Sequence, residues 1–310
     1  MKIVAALGGN ALSRRGEAIT AQNLRKNVRE AVTPLARLAL EHQLVLTHGN
    51  GPQVGLLALQ NLAYGEVAAY PLDILGAETQ GMLGYVVGQE LMNAVKLKKE
   101  MATILTTTAV SADDQAFQNP TKFVGPVYPE AEARALAEKY GWDIAQDGDW
   151  WRRVVPSPEP MHIRQADTIS MLSDTGLIVL CVGGGGVPVI ADYEKGTMRG
   201  VEAVIDKDLA SGVLARDVGA DVLLLLTDAD AVYLDWGTPE QRAIKRATVD
   251  QLAGFGFAAG SMGPKVDAAR RFVSEGSGEA IIGSLARLDD ILDGTSGTRI
   301  VAEGELEFYS

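Results

Sequence analysis

Short apolar runs alternate along this chain with longer stretches whose apolar positions recur every three or four residues. Lys2–Leu7 predicts a buried strand that ends at Gly8-Gly9. Leu24, Val28, Val32, Leu35, Leu38 and Ala39 then form a helical stripe over 20–42, and Pro34 inside it predicts a kink or break. Leu44–Thr47 reads as the next strand, running into Gly49-Asn50-Gly51, with a helix from Gln53 to Ala63 and another from Ile74 to Val95. Thr103–Ala109 is a Thr-rich strand candidate. Leu177–Val182, Val222–Thr227, Ala280–Ile282 and Arg299–Val301 complete the strands, and a last helix is expected over Pro264–Glu275.

Strands alternating with helices imply βαβ units. The expected fold is therefore α/β, with an open, mainly parallel sheet. Ligands in such sheets bind beyond the carboxyl ends of the strands, and four of the predicted strands end in glycine or aspartate turns. Between Asn119 and Pro160 the composition changes. Pro120, Pro126, Pro129, Pro156, Pro158 and Pro160 crowd there with several aromatic residues, and the helix Glu130–Tyr140 sits inside. This reads as a small subdomain inserted in the main fold.

The length of 310 residues allows one large domain or two smaller ones, and 47% hydrophobic content predicts a sizeable core. A formal net charge of −12 without any basic run argues against nucleic acid and anionic membranes as partners. No apolar stretch approaches bilayer length, and no signal-peptide pattern precedes the first strand, so the cytoplasm is the expected address. The single cysteine, Cys181, lies in an apolar run and reads as a core residue rather than a nucleophile.

Candidate chemistry concentrates in three glycine turns, Gly8-Gly9-Asn10, Gly49-Asn50-Gly51 and Gly183–Gly186. Glycine lets the backbone approach a ligand closely, and a helix starting just beyond favours negative charge. One such turn alone reads as readily as a plain tight turn as a ligand site; three at corresponding strand ends point to a polyanion site. His48, beside one of them, either touches ligand or caps the strand end. There is no Gly-x4-Gly-Lys-Ser/Thr loop, no dinucleotide fingerprint, no Gly-x-Ser-x-Gly elbow and no zinc motif.

Three lysines occupy turn or helix-start contexts: Lys122 in Asn119-Pro120-Thr121-Lys122, Lys207 between Asp206 and Asp208, and Lys265 where a helix opens. Each alone could be a surface charge. A helix dipole opposes an ammonium at the Lys265 position, so an anion is expected beside it. Arg152 and Arg153, after Trp150-Trp151, are either ligand contacts or a packed pair.

Taken together, Ala6–Ala11, Thr47–Gly55, Thr79-Gln80-Gly81, Asn119–Lys122, Val154–Pro158, Gly183–Gly186, Glu202–Asp208 and Gly260–Lys265 resemble the carbamate kinases, within the amino acid kinase superfamily, in order and over nearly the whole chain. The resemblance implies a three-layer α/β/α sandwich forming one domain. Residues 1–215 would be an acceptor lobe with a protruding lid at about 119–162, and residues 216–310 a nucleotide lobe. Gly8, Gly9, Asn10, Gly49, Asn50 and Gly51 would cradle carbamate or carbamoyl phosphate. Lys122, Lys207 and Lys265 would hold the phosphoryl group, with Asp208 orienting lysines. Asp228, Val232, Tyr233, Gly260, Ser261 and Met262 would contact ATP or ADP, which carries the magnesium, with no metal site built by the protein. A homodimer is implied, as is a role in arginine or allantoin catabolism. Two rivals remain: another acyl-phosphate-forming kinase of the same fold, and a sensor that binds nucleotide without turnover.

Overall fold

A computed structural model describes residues 1–14, 16–257, 262–276 and 278–310. Its centre is a ten-stranded sheet. From one edge the order is Val232–Leu234, Arg242–Thr248, Thr298–Val301, Glu279–Ser284, Val222–Thr227, Lys2–Leu7, Gln43–His48, Ile178–Leu180 and Met101–Thr103, with Glu307–Phe308 also paired to Arg242–Thr248. The run from Glu279–Ser284 to Met101–Thr103 is parallel throughout. Within this sheet, antiparallel pairs among the described residues occur only toward the Val232–Leu234 edge.

Strand periodicity divides the core into two layers. Val4, Ala6, Val45, Val179, Leu223 and Leu225 face one way, against helices Ala166–Asp174, Lys207–Asp217 and Met262–Glu275. Ile3, Ala5, Leu7, Leu44, Leu46, Leu180 and Leu224 face the other, against helices Ala21–Val32, Leu35–Glu41 and Leu72–Ala94. The result is a helix–sheet–helix sandwich, as expected. The central strands are apolar on both faces, which is why they read as continuous runs.

Pro34 separates helix Ala21–Val32 from helix Leu35–Glu41, since it has no N–H to continue the ladder. The Thr103–Ala109 candidate is corrected: Met101–Thr103 closes the edge of the large sheet, while Thr107–Ala109 joins a four-stranded sheet with Val187–Asp192, Thr197–Gly200 and His162–Ile163. The expected last helix is followed by one more, the short Leu288–Leu292.

In the proline-rich insertion the expected helix Glu130–Tyr140 packs on a three-stranded antiparallel sheet of Lys122–Tyr128, Trp150–Val155 and Asp143–Asp147. Those strands are mostly half-exposed and one carries a bulge, so no clean alternation marked them in the sequence. Arg153 stacks over Trp142, and Arg152 donates to the Gly125 carbonyl at 2.7 Å, so the two arginines form a packed pair.

Candidate active site

Strands Lys2–Leu7 and Gln43–His48 are parallel neighbours, with Leu7 opposite His48. Their carboxyl ends therefore bring Gly8-Gly9 beside Gly49-Asn50-Gly51. A Cβ on Gly49 would lie 3.1 Å from the Gly9 nitrogen and 3.4 Å from Cδ of Lys207, so the two turns and the Lys207 stem touch. Asn10 lies in the short helix Gly9–Leu12. Asn50 precedes helix Gly51–Ala63, whose early N–H groups and dipole favour an anion. Its side chain is buried and donates to Thr79 Oγ1 at 2.8 Å.

The helix Lys207–Asp217 starts here because Asp206 caps it, accepting from the N–H groups of Asp208 and Leu209 at 2.9 and 3.3 Å. Ser211 Oγ links the helix to strand Gln43–His48 through Thr47 Oγ1 at 2.7 Å. This helix start gathers the three lysines. Lys207 donates to Asp208 Oδ1, and Lys265, from the first turn of helix Met262–Glu275, donates to Asp208 Oδ2 at 3.0 Å. Lys122, at the start of its strand in the small sheet, donates to Asp206 Oδ2 at 2.8 Å. The anion expected beside Lys265 is thus Asp208. Burial pushes the Asp208 carboxyl up, but the charges of Lys207 and Lys265 and their hydrogen bonds outweigh it and hold the pKa at about 2.

His48 is buried with Nδ1 3.0 Å from the Gly49 carbonyl, so it caps the strand end. Burial lowers its pKa to about 4, against the Gly49 hydrogen bond and with help from the Lys207 charge. The ring is neutral at pH 7 and donates from Nδ1. Cys181 is buried, and burial raises its thiol pKa well above the ordinary range, which leaves it inert.

Gly183–Gly186 do not line an open cleft. All four are buried, and a Cβ on each would fall within 3 Å of protein atoms of His48, Asn50, Ile205 and Thr108 respectively. The close approach that four glycines imply is made to the protein's own groups. They form the plate against which His48 and Asn50 rest.

On the far side, Asp228 follows strand Val222–Thr227 directly and is exposed. Tyr233 is partly buried and its hydroxyl donates to Asp230 at 2.8 Å. Val232 is fully buried, with its N–H given to Thr298 Oγ1 at 2.8 Å. Met262 opens the helix that carries Lys265, while Gly260 and Ser261 lie outside the described residues.

Some residues at the site carried no assigned role in the sequence. Thr79 holds Asn50, and Gln80 is buried, bonding both the N–H and the carbonyl of Thr106 at 2.8 and 3.0 Å. Their only signal was the run Thr79-Gln80-Gly81 among the segments that carry the family resemblance. Among the described residues no three His, Cys, Asp or Glu side chains converge on one point.

A family model described as the amino acid kinase family matches residues 1–284. A carbamate kinase of Haemophilus influenzae is 51% identical over the full length of both chains. One from Rhizobium meliloti is 54% identical, covering 97% of this chain and 93% of its own. Among solved structures, a Giardia lamblia carbamate kinase bound to AMP-PNP superposes with a TM-score of 0.89 at 38% identity, over 97% of this chain and 98% of that one. With lysines from three parts of the chain meeting at one helix start beyond the strand ends, and with relatives this similar over their full length, the chain belongs to the carbamate kinases of the amino acid kinase family.

Proposed function

We propose that this enzyme transfers a phosphoryl group reversibly between ATP and carbamate, giving ADP and carbamoyl phosphate. The observation that carries the reading is the Asp208 carboxylate, which holds Lys207 and Lys265 from two different helices at the mouth of the glycine turns. Phosphoryl transfer asks for alignment and for stabilisation of charge on the moving group's oxygens, and little covalent chemistry. In this reading the turns at Gly8, Gly9 and Asn10 and at Gly49, Asn50 and Gly51 hold the acceptor. Lys207 and Lys265 meet the phosphoryl oxygens, and Lys122 reaches them from the small sheet. Asp208 fixes the direction of two ammonium groups. No general base is needed, because carbamate is already an anion.

Residues 216–310, with Asp228, Tyr233 and the start of helix Met262–Glu275, are assigned to the nucleotide, and residues 1–215 to the acceptor, with about 119–162 as its lid. AMP-PNP bound to the Giardia lamblia relative supports a nucleotide site. The donor set fits magnesium carried on nucleotide phosphates: both Asp208 oxygens are engaged by lysines, and Asp206 serves Lys122 and two amides. Magnesium usually takes few protein ligands beside phosphates. When bound, it neutralises part of the phosphate charge.

Operation toward ATP in arginine or allantoin catabolism, in the cytoplasm and as a homodimer, completes the proposal. No described helix is long and apolar enough to cross a membrane. The test is a coupled assay for ATP from carbamoyl phosphate and MgADP, with acetate and N-acetylglutamate compared with carbamate in the reverse direction. Preference for a larger acid would sink the carbamate assignment, and ADP binding without ATP formation would favour a sensor. Lys207→Ala should lower kcat far more than it raises KM, because its contact is strongest in the transition state. Unchanged kcat removes Lys207 from the chemistry.

A further inference from the structure

The stretch Val201–Asp206 leads into the lysine-bearing helix, and its burial alternates residue by residue, as along an extended chain. Val201, Ala203 and Ile205 belong to the main core. Glu202, Val204 and Asp206 lie on the other side, and each is tied to the small sheet. Arg153 donates to Glu202 Oε1 at 2.9 Å, the Val204 N–H to the Pro156 carbonyl at 3.0 Å, and Lys122 to Asp206 Oδ2 at 2.8 Å.

Both carboxylates work twice. The second oxygen of Glu202 accepts from the Leu72 N–H at 2.7 Å, where helix Leu72–Ala94 begins. The other oxygen of Asp206 caps helix Lys207–Asp217. The base of the small sheet is held apart from these ties. Val124 and Val155 pack with Val54, Leu72 and Leu75, and a Cβ on Gly55 would stand only 2.9 Å from the Gly125 Cα. The ion pair at Lys122, whose side chain is 35% exposed, adds little to stability. What it does is place an ammonium.

We propose that Asp206 is a positioning residue for phosphoryl transfer. One oxygen holds the Lys122 ammonium and the other starts the helix that presents Lys207 and Asp208. A single carboxylate therefore sets where Lys122 stands relative to the Lys207–Asp208–Lys265 group. The proposal rests on the reading that Lys122 acts on the phosphoryl group. Glu202 repeats the design four residues earlier in the chain, with Arg153 from the neighbouring strand in place of Lys122 and the start of helix Leu72–Ala94 in place of the Lys207 helix.

Asp206→Asn separates the two jobs. Asparagine caps a helix as well as aspartate does, but it offers Lys122 no charge. Its melting temperature should match wild type, whereas Asp206→Ala, which also loses the cap, should melt lower. In the Asp206→Asn variant, kcat for ATP formation from carbamoyl phosphate and MgADP should fall about tenfold or more, with KM changed much less, because pre-set alignment is lost. In a Lys122→Ala background the same substitution should cost nothing further, since the two act as one unit. Without any substrate, backbone amides at 121–123 should exchange hydrogen faster in Asp206→Asn than in wild type.

Unchanged exchange, unchanged kcat, or an equal penalty in the Lys122→Ala background each overturns the proposal. If Lys122→Ala keeps full activity, the functional reading of Lys122 is what fails, and the positioning role falls with it. If wild type makes no ATP, the reaction itself is wrong. The exchange measurement still decides whether Asp206 holds the strand that carries Lys122.

Discussion

At the residue scale, two buried ionisable groups that both feel the Lys207 charge answer burial differently. Asp208 keeps its charge because two ammonium groups meet it, and His48 gives its charge up because it has only a carbonyl and lies near Lys207. An unfolded histidine titrates near pH 6.5, roughly, so the unfolded chain binds a proton before folded His48 does. His48 therefore contributes stability that is present above about pH 6.5 and is lost as pH falls toward about 4. Urea unfolding of wild type should weaken across that window by up to about 1.4 kcal/mol per pH unit from this group. A His48→Asn variant should show a flatter dependence there. Equal slopes would mean that His48 takes up its proton as readily in the folded protein as in the unfolded chain.

At the element scale, the glycine turns divide by what they approach. Gly49 stands beside Lys207, and Gly51 opens a helix with open space at its Cβ position, which suits a ligand. Gly183–Gly186 have the same look in sequence, yet three of them adopt positive φ and all face protein groups. Gly184, at φ 66°, would place a Cβ 2.3 Å from Cγ of Asn50. Gly184→Ala combines left-handed strain with displacement of a buried amide. It should cost on the order of 1–3 kcal/mol by thermal or urea unfolding, and it should lower kcat/KM further than folding loss explains, through Asn50. Full activity in the folded fraction would separate Asn50 from the acceptor site. Sequence alone shows where backbones come close, because only glycine tolerates it; it does not show whether the neighbour is substrate or side chain. The same limit applies to Asp206. Beside Lys207 in the sequence it reads, with Asp208, as a carboxylate able to orient that ammonium or meet magnesium, and the sequence could not show that one of its oxygens serves Lys122, 84 positions away in the chain.

At the scale of the whole molecule, one sheet separates two cores, and its middle strands carry the site at their carboxyl ends. Leu225, fully buried in the central strand Val222–Thr227, is paired on both sides by parallel neighbours. Leu225→Ala should cost about 2–5 kcal/mol, read as a lower urea midpoint. A loss under about 1 kcal/mol would mean that the layer collapses around the gap.

Local rules sufficed for the apolar strands, the helix stripes, the break at Pro34 and the glycine turns, since each depends on residues a few positions apart. They also predicted an anion beside Lys265, which Asp208 supplies. They could not supply the pairing of distant elements. Which sheet takes Thr107–Ala109, which carboxylate meets Lys122, and what fills the space over Gly183–Gly186 depend on contacts between segments far apart in the chain. The chain's order leaves those contacts open, and only the folded packing chooses among them.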